Sequence, residues 1–260
     1  MSFADLGFRL GAACAFGGQE YVSVYSRKII LTSILPRAVL QAVFYVLLGQ
    51  LLAGPGGMRR AFIGATGYAL VTATVVRLAD VLAVDKQEGT SYRLRTGALP
   101  RLTVALCRSW PYAAEALVSA LAVLAVASVV VGQGGTALHL LRYLPLLALT
   151  ALSLGAFGLA GAAASVGRRA DVLVGNLLAA VLLAGCQVIA PTSIGWLDAL
   201  GQVLPLRHAL DAIRAGLDGG NPLPQAGWEA VVGLGWFAVA AVLLRIQSYR
   251  SARDGSDDHE

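Results

Sequence analysis

The chain of 260 residues is predominantly apolar, with 57% hydrophobic and only 13% charged residues. Its apolar runs exceed the roughly 20 helical residues that cross about 30 Å of hydrocarbon, which predicts an all-α polytopic membrane protein. The formal net charge of +5 does not indicate a nucleic-acid-binding protein, because the basic residues lie between apolar runs and form no stripe with aromatic residues. Three cysteines, far apart in the sequence and in no CxxC spacing, support neither a disulfide framework nor a zinc site.

An interfacial helix is predicted for residues 1–28, because Phe3, Leu6 and Leu10 share one helical face. A partly disordered tail is the alternative, since the pair at 17–18, Gly-Gly, interrupts the pattern.

Six apolar spans follow, each long enough for about 20 helical residues. They are predicted at 29–53, 61–84, 103–131, 141–166, 171–190 and 228–246. A Gly-Pro-Gly-Gly turn at 54–57 separates the first two, and Pro36 predicts a kink early in the first. We therefore expect a six-helix membrane domain at 29–246 and a cytoplasmic tail at 247–260.

The distribution of basic residues predicts the orientation in the membrane. With the N-terminus inside, thirteen Lys and Arg residues lie on the cytoplasmic side and five on the other. The five are Arg59, Arg60, Arg142, Arg207 and Arg214. Both termini are therefore predicted in the cytoplasm, although Arg59-Arg60 is a local contradiction. The arginine-rich, alanine-rich composition is typical of a bacterial protein from a GC-rich genome.

The segment from Asp85 to Arg101, DKQEGTSYRLRTGALPR, is the densest run of mixed charge in the chain. We expect it to form a short helix bounded by turns on the cytoplasmic membrane surface. The alternative is an ordinary positive-inside loop, which needs no partner.

The link from Pro191 to Gly227 is too long for a turn and too apolar for a solvated linker. One helical stripe recurs within it. Its members are Leu206, Leu210, Ile213 and Leu217. Pro205 is placed to start this helix.

On the opposite face of that helix, Asp211 is spaced to pair with Arg207 at four residues and with Arg214 at three. A short re-entrant amphipathic helix that dips into the outer leaflet is therefore predicted before the last span. The alternative is a surface helix without a transport role.

Four charged residues fall in the cytoplasmic half of the spans, where charge is costly without partners. They are Arg37, Arg77, Asp80 and Glu115. This layer neutralises itself if Arg77 and Asp80 share a helical face and Glu115 or Arg37 reaches them across the bundle. The alternative is that the arginines snorkel to the headgroups while water solvates the acids.

Two motifs resemble permeases of the ABC-2 transporter family. The sequence at 205–217, PLRHALDAIRAGL, resembles the proline and amphipathic helix that precede the last span in that family, and EGT at 88–90 with LP at 99–100 resembles its cytoplasmic loop between spans two and three. The order of parts also agrees. The chain departs from the family pattern at 85–88, DKQE, and at Arg108, where Gly-Lys often opens span three.

The resemblance implies the transmembrane subunit of an ATP-driven exporter of an amphiphilic small molecule, drug, antibiotic or lipid. Such a subunit works as a dimer of identical or related permeases with two ATPase subunits, which hold the ATP and magnesium, so that this chain binds no cofactor. The residues implied in coupling to the ATPase are Asp85, Glu88, Gly89, Thr90, Tyr92, Arg93, Leu94, Arg95 and Pro100.

The residues themselves argue against catalysis by this chain. A phosphate-binding loop needs GxxxxGK[ST], but Lys28 follows Ser-Arg and Lys86 follows Val-Asp. An intramembrane enzyme is not supported, because His139 and His208 fall in predicted outer loops and Ser153 lacks the first glycine of a GxSxG elbow. A secondary transporter or channel is the alternative, since it also needs only polar groups within a bundle.

Overall fold

The computed structural model describes residues 3–78, 99–165 and 171–254, and these residues are helical almost throughout. We number eight helices within these ranges. They are α1 (Phe3–Val24), α2 (Arg27–Arg77), α3 (Arg101–Ala122, continuing to Val130), α4 (Gly134–Leu140 and Leu144–Ser165, joined by a 3₁₀ turn), α5 (Asp171–Gly185), α6 (Gly195–Val203), α7 (Arg207–Leu217) and α8 (Leu223–Asp254).

Four segments of the described chain are long and apolar enough to cross a membrane. They are Arg27–Arg77, Leu102–Val130, Gly134–Ala164 and Leu223–Gln247. The apolar part of α5, Leu173–Gly185, is shorter. The predicted all-α membrane class is confirmed, while the count of six spans stays a prediction.

Helix α2 folds back on itself at Ala53 and Gly54, which have non-helical backbone angles. Gly54 has φ +63°, a left-handed conformation that glycine adopts without steric cost. The rings of Tyr45 and Tyr68 lie 5.6 Å apart, whereas a straight helix would separate them by about 35 Å. The helix therefore consists of two antiparallel limbs, residues 27–52 and 55–77. The predicted turn between these two segments is present but shorter than the four residues expected at 54–57, because the helix resumes at once after Gly54.

The irregularity expected at Pro36 lies just before it. Residues Ile30–Ile34 form a π-helical turn, and Pro36 follows in the first turn of the regular segment Leu35–Val71. A proline is tolerated there, because the first N–H groups of an α-helix have no intrahelical acceptor. A second π-helical turn, Thr72–Arg77, ends the second limb.

Residues 3–24 form a continuous helix, which excludes the disordered alternative for this range. The glycines that interrupted the amphipathic pattern are sites of close packing against α3. A Cβ at Gly17 would lie 2.7 Å from the Arg108 Cα, and a Cβ at Gly18 would lie 3.1 Å from the Trp110 ring. Small residues thus bring the backbones of α1 and α3 together.

Close helix contact also forms the centre of the bundle, where α4 packs extensively against α8. A Cβ at Gly233 of α8 would overlap the side chain of Ser153 in α4. On another side of α4, a Cβ at Gly158 would lie 2.9 Å from the Val75 Cα in the second limb of α2. Helix α4 is therefore the central element, and Leu147 and Leu154 on it are fully buried.

The fifth predicted span, 171–190, is shorter than expected, because α5 ends at Gly185. The chain then turns through Gln187, which has φ +51°. It continues into α6, a helix that the sequence analysis did not predict.

Candidate functional site

A buried ion pair joins the second limb of α2 to α3. The Arg77 guanidinium contacts the Glu115 carboxylate, and the two side chains are only 13% and 3% exposed. The Tyr21 hydroxyl of α1 donates a hydrogen bond of 2.7 Å to the other Glu115 oxygen. The Arg77 guanidinium also lies 5.3 Å from the centre of the Tyr25 ring. The predicted approach of Glu115 to Arg77 across the bundle is confirmed, and we call these four residues the Arg77 cluster.

Tyr21 serves the cluster as a neutral donor. Burial, together with the hydrogen bond to Glu115, raises the pKa of the Tyr21 hydroxyl well above its ordinary value. The phenol therefore stays protonated at physiological pH and continues to donate to the carboxylate.

The rest of the predicted charge layer is only partly described. Arg37 is exposed on the first limb of α2 and lines the same small pocket as Arg77 and Glu115. Asp80 lies outside the described residues. The structure therefore shows the Arg77–Glu115 half of the layer.

A second ion pair fastens α1 to α3 and gives Arg108 a definite position. The Arg108 Nε atom donates to Glu20 at 2.9 Å, and the arginine is 5% exposed. Trp110, two residues along, donates from its indole nitrogen to the carbonyl oxygen of Cys14 at 2.9 Å. The residue that departs from the family pattern is thus a contact that holds the N-terminal helix.

A polar cavity of about 520 Å³ lies between the two limbs of α2 and helix α5. Arg37 and Arg77 line it, together with other polar side chains and the apolar side of α5. The other polar lining residues are Tyr25, Gln41, Tyr68, Thr72 and Asn176. Among the described residues that line it, no side chain is acidic. The cavity therefore suits a polar or anionic group next to an apolar one.

The predicted ion pairs of α7 are present, and protein covers this helix more completely than its amphipathic pattern indicated. The Asp211 carboxylate lies 2.9 Å from Arg207 Nε and 3.1 Å from Arg214 Nη1, which confirms both predicted pairs. Leu210 is fully buried on the apolar face, yet the side chains of Arg207 and Arg214 are also only 10% and 11% exposed. Protein therefore covers both faces of α7, as a re-entrant element requires, and the position of this helix in the outer leaflet stays a prediction.

The polar face of α7 is covered by a network centred on Gln187. The side chain of Gln187 accepts from Arg60 Nη2 at 3.2 Å and donates to Asp198 of α6 at 2.8 Å. Its carbonyl oxygen accepts from Arg214 Nη2 at 3.0 Å, and Asp198 in turn accepts from Arg207 Nη2 at 3.1 Å. With Asp211, all of these residues except Arg60 form a closed circuit, and Arg60 is joined to it through Gln187; we call the whole set the arginine ring. It consists of Arg60, Gln187, Asp198, Arg207, Asp211 and Arg214.

The start of α7 is fixed by a residue that sequence reasoning missed. Glu229 of α8 is fully buried, and both of its carboxylate oxygens accept from the Leu206 N–H, at 3.1 and 3.2 Å. One of these oxygens also accepts from the Ala209 N–H at 3.3 Å. Leu206 itself has φ +83°, a strained angle for leucine, and is fully buried. A carboxylate from another helix therefore caps α7.

His208 lies where α7 packs against α8. It was predicted in an outer loop, but it is a buried residue of the helix α7. It is 6% exposed, and its ring nitrogens lie 3.0 Å from the Gln225 side chain and 2.9 Å from the Gln202 carbonyl oxygen. Its ring stacks on Trp228 of α8, with centroids 6.3 Å apart. Burial and two partners make His208 a structural residue.

The C-terminal end of α7 has basic partners. Arg142 Nη2 donates to the Gly216 carbonyl oxygen at 3.0 Å, and Arg59 Nη2 donates to that of Leu217 at 3.4 Å. Arg59 also pairs with Asp218 at 3.2 Å. With a carboxylate at its N-terminus and cations at its C-terminus, α7 satisfies its terminal backbone groups and its dipole at both ends.

Most of the predicted coupling segment lies outside the described residues. This applies to Asp85, Glu88, Gly89, Thr90, Tyr92, Arg93, Leu94 and Arg95. Pro100 is described and is the N-cap residue of α3. The segment is thus continuous in sequence with the helix that carries Arg108 and Glu115.

A family model described as ABC-2 type transporter matches residues 17–217, from within α1 to the end of α7. The chain has no significant match among curated proteins. The family match covers every element that contributes to the Arg77 cluster and to the arginine ring.

Proposed function

Because the chain belongs to the ABC-2 type transporter family, we propose that it is the transmembrane subunit of an ATP-driven exporter. A separate ATPase subunit supplies ATP and magnesium, and a second copy of this chain or a related permease completes the membrane path. The absence of a phosphate-binding loop in the sequence supports this division of labour. The chain is then a non-catalytic component of the transporter.

The positive-inside rule supports a cytoplasmic position for the end of the bundle that carries Arg77 and the N-terminus of α3. The opposite end, with α6 and α7, then faces outward. This orientation places the termini and the segment 85–101 on the ATPase side of a bacterial cytoplasmic membrane.

The polar cavity between the limbs of α2 and helix α5 is the single observation that carries the transport proposal. Arg37 and Arg77 line this cavity of about 520 Å³, and none of the described lining residues is acidic, although Arg77 is itself paired with Glu115. Such a lining favours an amphiphilic substrate whose polar or anionic group enters the cavity while its apolar part contacts lipid or α5.

In this proposal, movement of the ATPase reaches the cavity through a continuous series of connected segments and contacts. The ATPase moves the segment 85–100, this motion is passed to α3, and Glu115 on α3 transmits it through Arg77 to the second limb of α2. That limb lines the cavity, so an ATP-driven movement of α3 changes the cavity's shape.

We expect the double variant Glu88→Lys with Tyr92→Ala to lower ATP hydrolysis and export by the assembled transporter while it inserts normally. Glu88 supplies a steering charge and Tyr92 an apolar contact for the ATPase surface. Hydrolysis by the purified complex and membrane insertion of the chain are measured in parallel. The matched control is Arg59→Gln at the opposite end of the bundle, which should leave hydrolysis unchanged. Normal hydrolysis and export in the double variant would reduce the segment to a topology signal.

A further inference from the structure

The arginine ring has more hydrogen-bond donors than acceptors. Three buried guanidinium nitrogens, Arg60 Nε, Arg207 Nη1 and Arg214 Nε, reach no acceptor among the described residues. Arg207 Nε lies 2.9 Å from Asp211 Oδ2 but lacks the alignment of a hydrogen bond. A buried polar group without a partner is costly, most of all on a charged side chain. The missing partners must be acceptors, because a guanidinium only donates.

The ring also has an excess of positive charge. Three arginines face two carboxylates, those of Asp198 and Asp211, so one positive charge is not neutralised within the ring. The two remaining acids packed against α7 do not supply it. Glu229 accepts from the backbone at the start of the helix, and Asp218 pairs with Arg59 at its end.

The lowered pKa of Arg214 agrees with this excess of positive charge. Burial, together with repulsion from Arg60, lowers the pKa of Arg214 to about 10. Burial of the charge is thus only partly compensated by Asp211. A bound anion would relieve both the burial and the repulsion.

The arginine ring reaches the protein surface at Asp198. The Asp198 side chain is 46% exposed, whereas the side chains of Arg207 and Arg214 behind it are about nine-tenths buried. The unpaired donors therefore lie behind a partly exposed carboxylate on the α6 side.

We propose that the arginine ring binds one oxyanion, a phosphate group, held by Arg60, Arg207 and Arg214. A phosphate offers several acceptor oxygens, matches the planar fork of guanidinium groups and carries the charge that the ring lacks. Its source is either a free phosphate ion or the headgroup of an anionic lipid. The proposal depends only on the geometry of the ring and is independent of ATP coupling.

The test measures binding to the full-length protein purified in an uncharged detergent. In one arm, inorganic phosphate is titrated against sodium chloride of equal ionic strength, and thermal unfolding is followed. In the other arm, native mass spectrometry counts lipids retained after release from nanodiscs of phosphatidylglycerol or of phosphatidylcholine. Stabilisation by phosphate assigns the site to a free ion, and selective retention of phosphatidylglycerol assigns it to a lipid headgroup. Either result supports the proposal.

The variants distinguish binding at the arginine ring from nonspecific binding to other basic residues. Arg60→Gln and Arg214→Gln should each weaken binding about tenfold or more, because each removes a charged donor. The matched control is Arg59→Gln, the sequence neighbour of Arg60, whose partner Asp218 is 68% exposed; its binding should stay within about twofold. Arg60 lies only half-buried at the edge of the ring, so its variant keeps the test valid if Arg214→Gln does not fold. Wild-type protein that responds to neither ligand, or variants that bind as wild type does, would overturn the proposal.

Discussion

Replacing Glu115 by Gln is expected to remove most export activity and to destabilise the folded chain. The Glu115 carboxylate is 3% exposed and has both Arg77 and Tyr21 as partners. Its neutralisation leaves the Arg77 guanidinium buried without a counter-charge, and breaking a buried pair in this way costs about 3–5 kcal/mol. Arg77→Gln should have a comparable effect for the converse reason. Thermal unfolding of purified protein and export by the assembled transporter measure the two consequences.

The controls separate an ion pair from two independent snorkelling residues. The exchanged pair Arg77→Glu with Glu115→Arg should recover part of the loss, because it restores opposite charges across the same interface. Tyr21→Phe should have a smaller effect, since it removes one hydrogen bond and no charge. Single variants that unfold and export as wild type does would show that the pair has no role in coupling.

Glu229→Ala is expected to detach α7 from α8 while the rest of the bundle stays folded. The change leaves the Leu206 and Ala209 N–H groups buried without acceptors, at about 1–3 kcal/mol each. It also removes the anchor that holds Leu206 in its strained conformation. Hydrogen exchange, followed by mass spectrometry, should become faster for the α7 amides than in the wild-type protein, while exchange of the α4 amides should stay unchanged.

The matched control for this change is Glu229→Gln, which keeps the volume and one acceptor oxygen. It should cause a smaller increase in exchange, because the capping hydrogen bonds persist in part while the charge at the helix N-terminus is lost. Unchanged protection of α7 in Glu229→Ala would mean that burial of the apolar face of α7, with Leu210 and Ile213, holds the helix without the cap.

Features that depend on short stretches of sequence could be predicted. The pairing of Asp211 with Arg207 and Arg214 was found from spacing alone, because residues three and four apart meet on any helix. The partnership of Arg77 and Glu115 followed from the cost of isolated charge in hydrocarbon. These predictions rest on one helix or on one strong electrostatic requirement.

Features that depend on tertiary contacts were missed. Glu229 lies in an apolar helix, and only the fold shows that its carboxylate reaches Leu206 of another helix. Helix α6 was not predicted, although Leu197, Leu200 and Leu204 recur at steps of three and four. Arg207 was expected on the polar face of its helix, and the sequence does not reveal that Gln187 and α6 cover that face.

The five basic residues that opposed the positive-inside pattern have a common structural explanation. All of them contact α7 or the loop packed on it. Arg59 and Arg142 bind its C-terminal carbonyl groups, and the other three belong to the arginine ring. Residues held in this way serve the fold, so their presence on the minority side does not count against the predicted orientation.

The most direct test of the central claim, a permease driven by a separate ATPase, is ATP hydrolysis by the chain purified alone and by the complex that copurifies with it. The isolated chain in nanodiscs should hydrolyse no ATP above background. The complex extracted in mild detergent should contain a soluble subunit with a phosphate-binding loop and should hydrolyse ATP, and a substitution of that loop's lysine should abolish the activity. Hydrolysis by the chain alone would contradict the account, as would transport by the chain alone down an ion gradient, the result expected of a secondary transporter.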